Sequence, residues 1–121
     1  RTLTYVNAGH NPPIIVKPSS GNIIHLETGG IALGVTSEVN YYEREIGLDS
    51  GDIVILYTDG ITEAVNESGE EYGETRLIDV ILENSILHPK QIIRKIESAV
   101  MDFIGHQPEF DDITTMALKI I

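Results

Sequence analysis

Ile53, Val54, Ile55, Leu56 and Tyr57 follow one another without a polar break, and Thr58, Asp59 and Gly60 then end the run. An unbroken apolar run of this length, closed by turn residues, predicts a buried strand. Shorter runs and alternations predict further strands at residues 2–6, 14–17, 23–26, 41–46 and 113–121. Between the second and third of these, Pro18-Ser19-Ser20-Gly21-Asn22 predicts a hairpin connection. "NAGHNPP", "ETGGIALGVTSE", "LDSGD" and "HQPEFDD" read as turns and loops.

The period changes in the second half. Leu77, Ile78, Ile81 and Leu82 share one helical face and predict a helix over residues 75–85. Pro89 suits the first turn of a second helix. Ile92, Ile93, Ile96, Val100, Phe103 and Ile104 carry its apolar stripe to about Gly105. Both stripes read as core faces. Strands, then two helices, then a last strand predict an α+β layered domain, antiparallel where hairpins dominate, with both helices on one face. The partner of the last strand is not legible.

Composition narrows the class. The 121 residues suit one domain or part of one, and 41% hydrophobic with 22% charged residues is a globular balance. Cysteine is absent, which excludes disulfides and thiolate metal sites. The net charge of −11 repels phosphate backbones, so no nucleic-acid partner is expected. No apolar run approaches the roughly 20 residues of a membrane span, and no signal peptide is visible. A cytoplasmic location is expected. The first residue is Arg1 and not Met, which suggests part of a longer protein.

Candidate chemistry lies in acids at element boundaries. Asp59 follows the strongest strand, and Asp111 and Asp112 precede the last one. Two readings stand. All three are ordinary turn and cap residues, since Asp-Gly is a common turn pair. Alternatively, if their strands are neighbours, the acids meet at one sheet edge and need a cation between them. Hard oxygen donors without sulfur would then select Mg²⁺ or Mn²⁺. Gly60, lacking a Cβ, lets backbone oxygen and water approach such an ion closely. Of the other candidates, His10 reads as a turn-stabilising histidine rather than an acid or phosphate contact, and His25, His88 and His106 as surface or cap residues. Glu63 either shapes a metal shell or caps a short helix. Gly29, Gly30 and Gly34 are wrongly placed for a nucleotide loop. Residues 66–73 form either a substrate flap or plain mobile surface.

Four blocks together resemble a known family. "YVNAGHNPP" (5–13), "GGIALGV" (29–35), "LDSGDIVILYTDGITEAVNESGEEYG" (48–73) and "FDDITTMALKI" (110–120) are similar, in order and spacing, to the SpoIIE/RsbU-like branch of the PPM (PP2C-like) metal-dependent phosphatases. The resemblance covers nearly the whole chain but only the C-terminal portion of a catalytic domain, so residues 1–121 are expected to be one such portion. It implies a β-sandwich of antiparallel sheets flanked by helices, with a Mn²⁺ or Mg²⁺ pair at one end. It implies hydrolysis of phosphoserine or phosphothreonine on a protein by a metal-activated water. Asp59 matches the acid of the family's "TDG" block, Gly60 its glycine, and Asp111 and Asp112 the acids opening its terminal block. The implied partners are a phosphorylated anti-sigma-factor antagonist in bacterial signalling and an upstream sensor domain. The family's first acidic block is missing. Gly51-Asp52 looks like its start, but no second acid follows. The chain is therefore read as a truncated portion inactive alone, with a pseudophosphatase or interaction module as the alternative.

Overall fold

The computed structural model describes residues 1–107 and 111–121. Of the polar loop expected at 106–112, residues 108–110 lie outside the described residues. The chain runs through β1 (Thr2–Tyr5), β2 (Ile14–Lys17), β3 (Asn22–His25), β4 (Arg44–Gly47) and β5 (Ile53–Tyr57). It continues through α1 (Asp59–Thr62), α2 (Gly73–Glu83), α3 (Pro89–Ile104) and β6 (Thr115–Lys119). Four strands form one antiparallel sheet in the order β3-β2-β5-β6, and β1 and β4 form a two-stranded antiparallel sheet.

β2 and β5 are apolar at every core position because both faces of their sheet are covered. Ile14 pairs with Ile55 and Val16 with Ile53, and these four face α2 and α3. Ile15 pairs with Val54 between them, and this pair faces Leu26, Leu48 and the β1–β4 sheet. The result is a sandwich with helices on one outer side, as expected. Leu77 and Ile81 of α2 and Ile92, Ile96, Val100 and Ile104 of α3 fill the helical core. Each fully buried isoleucine contributes about 2 kcal/mol relative to an exposed one. α3 starts where Pro89 predicts. His88 caps it, its ring Nδ1 accepting from the Lys90 amide at 3.3 Å, while Gln91 returns a bond to the His88 amide.

Some boundaries differ from expectation. The fourth strand begins at Arg44 rather than at residue 41, because the glycine loop holds the preceding tyrosines. The Tyr42 amide donates to the Gly29 carbonyl, and the Tyr41 ring lies where a Gly30 side chain would be. Residues 66–70 form a self-bonded turn, with Asn66 Oδ1 accepting from the amides of Ser68 and Glu70. On β6, Met116 and Leu118 share the sheet face opposite the helices and stay half exposed, as does Val6 beyond β1. Among the described residues, no helix is long and apolar enough to cross a membrane.

Asp52, whose neighbourhood resembled a metal-binding block, is 1% exposed and accepts from Lys17 Nζ at 2.7 Å and from the Asp49 amide at 2.8 Å. Asp49 completes the cluster at 3.0 Å from the same ammonium. Asp52 thus ties β2 to the turn before β5, at the opposite end of β5 from Asp59. The hydrogen bond that Lys17 donates to Asp52, with the one to Asp49 adding to it, raises the Lys17 pKa above its ordinary 10.5. Burial raises Tyr57 and Tyr72 above 10.0. A folded-state pKa above the unfolded one stabilises fully below the unfolded value and is lost as pH rises through the folded one. All three groups act in the same direction. The thermal unfolding midpoint should therefore hold through neutral pH and fall once pH passes about 10. A midpoint unchanged up to pH 11, followed by circular dichroism, would contradict this.

Candidate metal centre

The acids sit where β5 and β6 end side by side. The last ladder pair is Tyr57 with Thr115. One step further, the Thr58 amide donates to the Thr114 carbonyl at 3.1 Å. The Thr58 hydroxyl accepts from the Thr114 amide at 3.1 Å and donates to the Asp112 carbonyl at 3.2 Å. The chain then turns into the single turn of α1, which begins at Asp59. Gly60 is buried directly against the other segment. A Cβ built on it would overlap the Asp112 carbonyl oxygen and lie 3.1 Å from that of Asp111. Antiparallel pairing thus brings Asp59 and the Asp111–Asp112 pair to one rim, with all three acids exposed.

A second loop reaches the same end. Asn11 Nδ2 donates to the Tyr57 carbonyl at 3.3 Å. Its conformation is set by Asn7, which is 5% exposed. Asn7 Oδ1 accepts from the His10 amide at 2.8 Å, and Nδ2 donates to the carbonyls of His10 and Leu26. His10 Nδ1 lies 2.6 Å from the Asn11 carbonyl, within its own loop. The loop packs on the glycine-rich one: Ala8 bridges Gly30, and Gly9, at φ 82°, leaves no room for a side chain against Ala32. Two of the sequence blocks therefore form one structural unit. Pattern reading placed Asn7 in a turn but gave no sign of its burial.

Beneath the rim, Tyr57 donates its hydroxyl to Glu74 Oε1 at 3.4 Å, and His25 Nε2 lies 2.7 Å from the same oxygen. Burial first, then the Glu74 carboxylate, raises the Tyr57 pKa and keeps the phenol neutral. This cluster joins β3, β5 and α2, and nothing in the local sequence announced it. Glu63 is exposed and caps α1, its amide donating to the Asp59 carbonyl at 2.8 Å.

The donor chemistry of the rim fits a hard divalent cation, being oxygen throughout. Among the described residues, the donor number is smaller than such an ion needs. Among the described residues, no three His, Asp or Glu side chains converge to hold one.

The model of the stage II sporulation protein E (SpoIIE) family matches residues 1–121, the full length of the chain. The chain belongs to the SpoIIE family. Within it, the chain is similar to RsbU as well as to SpoIIE. It is 32% identical over 116 residues to protein IcfG of Synechocystis, a match covering 96% of this chain and 18% of IcfG. It is 27% identical over 119 residues to the phosphoserine phosphatase RsbU of Bacillus subtilis, covering 97% of this chain and 34% of RsbU. Its fold superposes on the SiaA-PP2C domain of Pseudomonas aeruginosa with a TM-score of 0.83 at 20% identity, over all of this chain and 47% of that one. The architecture is therefore a portion of the PP2C-like sandwich. The chain spans about a fifth and a third of the two curated relatives.

Proposed function

We propose that residues 1–121 form the C-terminal portion of the catalytic domain of a metal-dependent protein serine/threonine phosphatase. In this reading the side chains of Asp59, Asp111 and Asp112 and the backbone of Gly60 hold Mn²⁺ or Mg²⁺, and Asp59 and Asp111 carry the catalytic role. One observation supports it above others: β5–β6 pairing places the acids of two distant blocks at one rim, in a chain that matches the SpoIIE family throughout. When bound, the ion pair supplies a water of lowered pKa and offsets charge on the phosphoryl oxygens. The chain's own part is to hold carboxylates where that charge is needed. The short α1 and the Gly60 contact fix their backbone, and Asn11 braces the end of β5. No side chain here need act as a covalent nucleophile, and cysteine is absent from the sequence. The substrate class is phosphoserine or phosphothreonine on a cytoplasmic protein of the anti-sigma-antagonist type.

In the natural full-length protein, phosphate release from a phosphoserine peptide should require Mn²⁺ or Mg²⁺ and stop on adding EDTA. Release that persists in EDTA overturns the reading. The small number of donors among the described residues of the rim also supports a second reading, a pseudophosphatase that keeps the fold and binds a partner. Absence of metal-dependent turnover by the natural protein, with partner capture intact in Asp59→Asn and Asp111→Asn variants, favours that one.

A further inference from the structure

We propose that Thr58 is the positioning residue of this centre: its hydroxyl fastens the Asp111–Asp112 segment to the Asp59–Gly60 segment. The inference rests on the metal-centre reading above. Thr58 stands where β5 must do two incompatible things. In an antiparallel ladder, residues facing each other as Thr58 and Thr114 do would exchange both amide–carbonyl bonds. Here only one is made, from the Thr58 amide to the Thr114 carbonyl. The Thr58 carbonyl is engaged elsewhere, accepting from the Ile61 amide at 3.1 Å to start α1. The Thr114 amide would be left without its ladder partner, and the Thr58 hydroxyl takes that place at 3.1 Å. The same hydroxyl spends its proton on the Asp112 carbonyl at 3.2 Å. Its donor and acceptor capacities are therefore both directed at the opposing acidic segment.

Thr58 is the N-cap residue of α1, yet its side chain makes no capping bond to that helix. A hydroxyl at this position ordinarily caps. This one instead lets the chain leave the sheet immediately before Asp59 without releasing the strand that carries Asp111 and Asp112. Thr58→Val keeps the β-branched shape and the extended backbone but removes both bonds. Thr58→Ser keeps both bonds. Groups that orient ligands without touching the ion typically change metal affinity by about 10–100-fold when removed.

The test uses the natural full-length protein and its Thr58→Val, Thr58→Ser and Asp59→Asn variants. Mn²⁺ affinity is measured by titration calorimetry, thermal unfolding is measured without metal, and the Thr114 amide is followed by hydrogen exchange. Thr58→Val should bind Mn²⁺ at least about tenfold more weakly while Thr58→Ser stays close to the parent. The Thr114 amide, which lies outside β6, should be protected in the parent and exposed in Thr58→Val. A merely structural role would lower the metal-free unfolding midpoint without this separation between Val and Ser. Unchanged Mn²⁺ affinity in Thr58→Val, with Asp59→Asn defective, overturns the positioning role alone. Unchanged affinity in Asp59→Asn overturns the metal centre and this inference together. Should Thr58→Val fail to fold, an unprotected Thr114 amide in the parent, or a Thr58→Ser protein that loses Mn²⁺ binding, still overturns the proposal.

Discussion

Asp59→Asn is expected to abolish metal-dependent phosphoserine hydrolysis in the natural full-length protein, with kcat/KM falling about a thousandfold or more. That corresponds to about 4 kcal/mol of transition-state stabilisation, a size suited to losing a metal-held charge rather than a surface bond. The change is nearly isosteric and replaces an anionic donor with a neutral one. Asp59 is exposed, so the fold should tolerate it. The backbone bonds that build α1, from the Ile61 amide to the Thr58 carbonyl and from the Glu63 amide to the Asp59 carbonyl, do not involve its carboxylate. Steady-state kinetics with Mn²⁺, beside a metal-free melting curve, separates chemistry from folding. Full activity in the variant removes Asp59 from the centre, and a collapsed melting curve makes it a structural residue.

Gly60→Ala should be the most damaging single-methyl change at the rim. Two effects compete. Alanine is favoured over glycine in a helix by about 1 kcal/mol, and Gly60 lies within α1 and not at a positive φ. Against this, the new Cβ would overlap the Asp112 carbonyl oxygen. The obstacle is backbone, which cannot swing aside like a flexible side-chain tip. Overpacking of this kind costs about 1–3 kcal/mol, so the overlap should win. The expected result is a melting temperature lower by several degrees, with Mn²⁺ affinity reduced because the Asp111–Asp112 segment must move. A variant equal to the parent in both measurements would show that the close approach does not matter.

The elements were legible where local signals agree. β2 and β5 have their expected limits because both faces are buried and turn residues bound each run. α3 begins at Pro89 for a steric reason that acts within one turn. The limits of β4 and β6 were less legible. Tyr41, Tyr42 and Thr114 have strand-like side chains but are held by distant segments, the tyrosines by the glycine loop and Thr114 by the Thr58 hydroxyl. The rim itself was legible only as a conditional, since nothing local says that β5 neighbours β6. The Lys17–Asp52 pair and the Tyr57–Glu74–His25 cluster were illegible for the same reason: each joins residues far apart in sequence through the finished fold. Asp52 carries the wider lesson. A Gly-Asp that looks like the start of a ligand block is a buried anchor at the far end of its strand.

The pairing of β5 with β6 has a consequence for assembly. All three helices lie in the stretch of chain between these strands, so the ladder closes a large loop and its contacts are entropically costly to form. An ion gripped by this rim would recognise only molecules whose final strand has docked. It would stabilise them by about 2.7 kcal/mol at a hundredfold excess over its dissociation constant. Chelators and denaturants would then draw on one shared equilibrium, and saturation with the cation would report how much of the chain had finished folding.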